Sequence, residues 1–391
     1  MFKKSLLAVA VLGTAAGFAC AADVTLYGVV DTGLLYNSNK VTINGTEAAD
    51  TKTFGLESGV SAASRFGLKG TEDLGNGLKV GFTLENGFKA DDGSLDNGDR
   101  LFGREASLTV SGDFGALSMG RMGGIGSAAG TYDVVFATAD AFDGGDNAIF
   151  GLQTSDRFDN VITYQTPKFA GVQGTFQYSF KQNNKEEGDY REGSAATDRY
   201  ASAALTGEFG ALNTVLGYEF FNWASNDGKP NTAEDIDDGH VVYLGGNYDC
   251  GFAKTFVMAQ YFKGMDFGNL LQNTDLITDA EEAQGELNGS MKGYGLHLGT
   301  IVPVAGGDFT VGAYYVDATH EDGYFAKAGA AAAIDSDVKY YGLAAKYEYP
   351  LSKRTSVYTG AGYSQTKVDN ADGLNAKEKN SQAYVGLTHK F

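Results

Sequence analysis

The chain has 391 residues with 30 basic and 49 acidic side chains, a formal charge of −19. That balance leaves no basic stripe for nucleic acid. Two cysteines and four prolines exclude a disulfide framework and a collagen-like or proline-rich chain. The 55 glycines are instead at home in tightly curved strands.

Lys3 and Lys4 precede an apolar run from Leu6 to Phe18 and the small residues Ala19-Cys20-Ala21. This predicts a secretory signal peptide over 1–21, cleaved after Ala21, and a single domain over 22–391. A lipoprotein reading through Cys20 is weaker, because Gly17 stands where a leucine is usual. Loss of two lysines takes the charge from −19 to −21 and leaves Cys250 as the one cysteine. Beyond the leader no run of about 20 apolar residues occurs, so no helix is expected to cross a membrane.

Strand signals begin with a hairpin over 65–88. Phe66 and Leu68, then Leu78, Val80, Phe82 and Leu84, alternate with Arg65, Gly67 and Lys69, then Lys79, Gly81, Thr83 and Glu85. The same period of two returns around Val172–Phe180, Leu212–Phe220, Phe309–Tyr315 and Val357–Tyr363. Runs of about ten residues suit a tilted crossing of a bilayer. Short connections are expected at Glu72–Gly77, Gly112–Ala116, Pro167–Gly171, Gly207–Ala211, Asp249–Ala253, Pro303–Gly307 and Leu351–Arg354. Long ones are expected near 37–59, 89–100, 122–157, 183–197, 225–238, 266–290, 319–336 and 367–380.

Seven short turns alternating with eight long loops give sixteen strands, and this asymmetry is how outer-membrane barrels are built. The predicted fold is all-β: a 16-stranded antiparallel transmembrane β-barrel. Backbone groups in lipid force the sheet to close, and sixteen strands leave an aqueous lumen. A soluble sandwich would bury the apolar faces against each other. The strand number, the loop asymmetry and the leader speak against it.

Several segments carry a resemblance. "ADVTLYGVVDTGL" (22–34), "SRFGLKGTEDLGNGLKVGFTLENGF" (64–88), "GDFGALSMGR" (112–121), "YQTPKFAGVQGTFQY" (164–178), "YPLSKRTSVY" (349–358) and "YVGLTHKF" (384–391) occur in order along the chain. Together they resemble the Gram-negative general porins of the neisserial and β-proteobacterial type. The resemblance implies a homotrimer passing small hydrophilic solutes and ions by diffusion. It also implies a third long loop folded into the lumen, and a surround of outer-membrane lipid and lipopolysaccharide. Phe391 ends the signal read by the barrel-assembly machinery, with His389, Leu387 and Val385 on its face. Residues 123–156 fit such a loop, since "YDVVFATADAF" (132–142) would be awkward in open water and is covered if laid on the inner wall.

By motif, Arg65, Arg104 and Arg157 match the family's arginine cluster on the pore wall. Alternation places Arg65 and Lys69 toward the lumen. It sets Arg104 in phase with the lipid-facing Leu108 and Val110, so that assignment needs a bulge or a position beyond the lipid band. The third loop supplies Asp133, Asp140, Asp143 and Asp146, with Asp156 at its end and no basic residue between Gly123 and Asp156. A pore lined this way selects by charge, and the aspartates predict a weak cation preference. "GGIGSAAG" (123–130) lacks the glycine spacing and βαβ context of a phosphate loop. His240, His297, His320 and His389 are scattered, so neither metal nor cofactor is implied. No nucleophile–histidine pair suggests an enzyme. The alternative function is a substrate-selective outer-membrane channel for sugar, phosphate or dicarboxylate.

Overall fold

The computed structural model describes residues 24–391 except 147–148, 185–191, 193–196, 224–237, 266–269, 271–290, 321–334, 371–372 and 374. The expected signal peptide and much of four expected long loops lie outside the described residues. Alternation of apolar and polar residues produces seventeen strand segments in one antiparallel sheet. The first are β1 (Thr25–Ile43), β2 (Thr46–Ser58), β3 (Arg65–Gly75), β4 (Leu78–Gly87), β5 (Glu105–Gly112), β6 (Gly115–Gly123), β7 (Arg157–Gln165) and β8 (Val172–Ser179). Then come β9 (Arg199–Phe209), β10 (Leu212–Asn222), β11 (Gly239–Asp249), β12 (Lys254–Met265) and β13 (Met291–Val304). The last are β14 (Gly307–His320), β15 (Ser336–Pro350), β16 (Thr355–Asn370) and β17 (Asn375–Lys390).

β1 pairs with β17 from Val29↔Lys390 to Ile43↔Ala376, which closes the sheet on itself. β2 and β3 both pair with β1, at Thr32–Ile43 and at Thr25–Val29 respectively. They are therefore two halves of one barrel strand, and the barrel has sixteen. The interruption over 59–64 is held by the buried Asp31 carboxylate. It accepts from the Ser61 amide at 3.1 Å and the Tyr358 hydroxyl at 2.8 Å, and from Thr388.

All seven expected short turns appear, at the end of the barrel that also carries both strand termini. The first long connection is shorter than expected. β1 runs on to Ile43, and Asn44 and Gly45, at φ 51° and 78°, turn the chain straight into β2. Asn-Gly is a strong two-residue hairpin signal, and here it extends the wall rather than a loop. The outer face is apolar: Leu205, Leu216 and Leu244 stand side by side on β9, β10 and β11, each about half exposed. Inward positions on the same strands are Tyr200, Tyr243 and Glu219, all fully buried. The core is therefore not in the wall but between the wall and what fills the lumen.

Candidate functional site

What fills the lumen is the connection from β6 to β7. Its stem is zipped by Gly124 N–H to Asp156 C=O at 3.0 Å and Ser155 N–H to Gly126 C=O at 2.9 Å. Beyond it the chain makes one short helix among the described residues, α1 (Phe136–Ala139), with Asp133 accepting from the Phe136 amide at 3.2 Å. Val135, Phe136, Ala139 and Leu152 are fully buried against inward wall residues, with Phe136 edge-on to Tyr243 at 6.0 Å. The expected cover for the apolar stretch 132–142 is thus the inner wall. Two glycines make room for it. A Cβ at Gly245 would sit 2.6 Å from the Ala139 Cβ, and one at Gly295 would sit 2.5 Å from Leu152.

Polar groups fix the course of this third loop around one side of the barrel. Glu219 on β10 accepts from the Tyr200 hydroxyl at 2.5 Å, the Tyr243 hydroxyl at 2.6 Å and the Gly126 amide at 3.2 Å. Gln260 on β12 holds the Gln153 backbone at both its N–H, 2.9 Å, and its C=O, 2.7 Å. Asp140 accepts from the Tyr314 hydroxyl at 2.9 Å and lies 3.3 Å from His297 Nε2. Asp146 accepts from the Tyr384 hydroxyl at 2.7 Å, while Gln382 donates to its backbone oxygen at 3.0 Å. Each acceptor in this buried set has a donor, as a polar contact away from water requires.

The opposite wall, β3 to β7, carries the arginines. Arg65 opens β3 in the inward file with Lys69, and its Nε lies 3.8 Å from Glu85 Oε2. Arg104 Nε donates to Glu85 Oε1 at 2.7 Å. Arg104 reaches the lumen because it lies one residue before β5, where the ladder has already ended at Glu85↔Glu105. The strand phase of Leu108 does not govern it. Arg157 opens β7 with its Nε buried and unpaired. Lys69 lies apart from these, its Nζ 5.1 Å over the Tyr27 ring. Arg100 and Arg121, which the sequence reading did not single out, both bind Asp159, at 3.0 and 2.7 Å.

The four loop aspartates separate into two kinds. Asp140 and Asp146, 2 % and 5 % exposed, are engaged by wall residues. Asp133 and Asp143 lie beside each other. Burial and the neighbouring Asp143 carboxylate push Asp133 well above the usual carboxylate range, so it holds its proton toward Asp143. Burial and then Asp140 raise Asp143 as well, and the Arg65 guanidinium across the lumen opposes that rise. Burial pushes Asp146 up to about 6. The loop anchors Glu219, Gln260 and Tyr384 were missed in the sequence. The available signal was a set of tyrosines at inward phase, Tyr200, Tyr243, Tyr314 and Tyr384, in strands that should line water.

The sequence behind this closed sixteen-strand wall matches a family profile described as Gram-negative porin over residues 8–370. The chain belongs to that family. It is 31 % identical to an outer membrane porin protein of Bordetella pertussis, over 100 % of both chains. It is likewise 31 % identical to outer membrane porin protein 32 of Delftia acidovorans, over 100 % of both. Among solved structures it is similar to an anion-selective porin from Comamonas acidovorans. That match has 25 % identity and a TM-score of 0.64, covering 95 % of this chain and 100 % of that one. The porin is a channel of the Gram-negative outer membrane, and its architecture is that of a general diffusion pore. No substrate-selective channel is favoured over it.

Proposed function

We propose that ions and small hydrophilic solutes cross this porin through the gap between the free edge of the third loop and the arginine wall. Arg65, Arg104 and Arg157, with Lys69 farther along the same file as Arg65, carry the positive side. Asp143 carries the negative side, with the protonated Asp133 donating to it. Asp140 and Asp146 act in the same constriction by fixing the course of the loop. The observation that carries this reading is that Glu219, Gln260, Tyr314 and Tyr384 bind the loop to one stretch of wall, while Arg65 and Arg104 gather on Glu85 on another. Opposed charges across a water-filled gap order its water and hinder apolar solutes.

Selectivity in this reading is weak and set by protonation of the loop. With the loop carboxylates ionised, they offset the arginines and cations are slightly preferred. As they take up protons the arginines prevail, and the pore passes to the anion preference that the Comamonas porin's name records for that protein. A pore of this kind needs no enzymatic step. The same reading makes the functional unit a homotrimer, inserted by the barrel-assembly machinery through the C-terminal segment ending at Phe391. Its backbone exchanges two hydrogen bonds with Gly28, of 3.0 and 3.1 Å, at the closing seam.

Single-channel recording in a planar bilayer with a tenfold potassium chloride gradient tests the proposal. Currents arriving in groups of three are expected. The reversal potential should show slight cation preference near neutral pH and move toward anions in acid. Absence of conductance, or a reversal potential indifferent to pH, would refute it.

A further inference from the structure

A further cation enters the lumen from the other side of the closing seam. Lys346 on β15 is in phase with Val338, Tyr340 and Ala344, all buried, so its side chain points inward. Across the ladder it pairs with Gly360 on β16, and Gly360 pairs with Tyr384 on β17. Gly360 puts no side chain between the two, and a Cβ there would come within 2.2 Å of the Tyr384 ring. Lys346 therefore shares its row of the wall with the tyrosine whose hydroxyl holds Asp146 at 2.7 Å. The loop registers that neighbour. Burial raises the Asp146 carboxyl, and its Tyr384 hydrogen bond and then the Lys346 charge oppose the rise.

The interruption between β2 and β3 fixes the ammonium group. Residues 59–64 turn inward there, with Val60 buried against Tyr358 and Tyr384. Lys346 Nζ donates to Ser61 Oγ at 3.1 Å, and two residues on, Arg65 Nη1 donates to the Ala63 carbonyl at 2.9 Å. One short segment thus holds a cation at each end, Arg65 toward β3 and Lys346 toward β15. Asp31 keeps the segment in place through the Ser61 amide. The charge of Lys346 is only partly offset. Glu348, next along the same inward file, has its Oε2 at 3.7 Å and also accepts from the Ser356 hydroxyl at 2.7 Å. That is a loose ion pair, and the Lys346 side chain stays 18 % exposed. A fixed charge that remains wet in a narrow lumen acts on the ions passing it.

We propose that Lys346 is a further selectivity-determining residue of the pore, carrying its basic surface past Arg65 to the stretch of wall beside Asp146. The inference rests on the permeation reading and deepens it. Solutes passing between the loop edge and the 59–64 segment meet this charge, so its removal favours cations. The test is the reversal potential of the refolded full-length mature porin in a planar bilayer, under a tenfold potassium chloride gradient near neutral pH. Lys346→Gln is expected to raise the cation-to-anion permeability ratio about twofold, and Lys346→Arg to restore it. A merely structural role would not follow the sign of a charge placed at this position. Lys346→Cys is therefore made in a Cys250→Ser background, which removes the exposed thiol of the mature chain. A cationic methanethiosulfonate added during recording should return the ratio toward wild type, and an anionic one should drive it farther toward cations. Equal effects of the two reagents, or none from either, overturn the proposal. Arg65→Gln is recorded alongside. A shift in Arg65→Gln without one in Lys346→Gln overturns the Lys346 assignment alone, whereas no shift in either overturns the permeation reading with it. Should the cysteine variant fail to fold, Lys346→Gln and Lys346→Arg must still differ as stated.

Discussion

The Tyr384 hydroxyl lies 2.7 Å from Asp146 Oδ1, so the last strand of the barrel holds a loop residue 238 positions earlier in the chain. Removing that hydroxyl strips a buried carboxylate of a donor, a loss of about 1–3 kcal/mol. Tyr384→Phe should leave the barrel folded and loosen the loop edge. Single-channel traces should then show added open-channel noise and a changed conductance. Traces identical to wild type would mean that the remaining anchors suffice without it.

The same carboxylate makes loop docking sensitive to pH. Its folded value of about 6 stands above the usual value near 4, so its contribution is complete below about pH 4 and is lost as pH rises through 6. The size is of order 2–3 kcal/mol. Asp133, shifted in the same direction, adds to the trend. Thermal midpoints measured from pH 4 to pH 8 should fall for wild type, and fall less steeply for Asp146→Asn. An equal slope in the two proteins would place the titration elsewhere.

Arg104 and Arg157 should differ when removed. Arg104 shares Glu85 at 2.7 Å, so Arg104→Ala also frees a carboxylate to face the lumen. The Arg157 Nε has no acceptor among the described residues, so Arg157→Ala removes one positive charge and breaks no hydrogen bond at that atom. In a tenfold salt gradient both reversal potentials should move toward cations, with Arg104→Ala moving farther. The reverse order would show that Arg157 dominates the field in the gap.

Glu219 gathers three donors at the base of the loop: two tyrosine hydroxyls and the Gly126 amide. Glu219→Ala leaves the Tyr200 hydroxyl and the Gly126 amide buried without that acceptor, and leaves Tyr243 only the Gln153 carbonyl at 3.5 Å, a cost of about 3 kcal/mol. Glu219→Gln keeps an acceptor oxygen and should be milder. Limited proteolysis between Gly124 and Asp156 reports the difference, with cleavage expected in the alanine variant first.

The wall was legible in the sequence because a strand's phase is local. Leu212, Leu216 and Tyr218 announce their face without reference to any other part of the chain, and all seven tight turns were marked by their own residues. Two features escape a local reading. Asn44-Gly45 falls inside the long connection expected near 37–59, and residues 59–64 interrupt what only closure shows to be one strand. The interior was less legible. Asp140 and Asp146 read as free charges until their partners, Tyr314 and Tyr384, were brought beside them by closure. Arg104 seemed out of phase because phase has no meaning one residue outside a ladder. The tyrosines at inward phase were the overlooked clue, since a wall meant only for water has no use for so many rings.

Closure also orders events in time. Glu105 on β5 and Ser118 on β6 bind Thr131 and Tyr132. Apart from these, the wall anchors of the third loop described above, from Tyr200 to Tyr384, are downstream of it in the chain, and the farthest belongs to the strand that seals the seam with β1. Contacts so distant in sequence form late. During assembly the loop therefore has no complete bed until the cylinder is finished, and an unsealed intermediate has an unnarrowed interior. Selectivity is the final property this polypeptide acquires, and a chain stalled before its last strand would be a leak rather than a sieve.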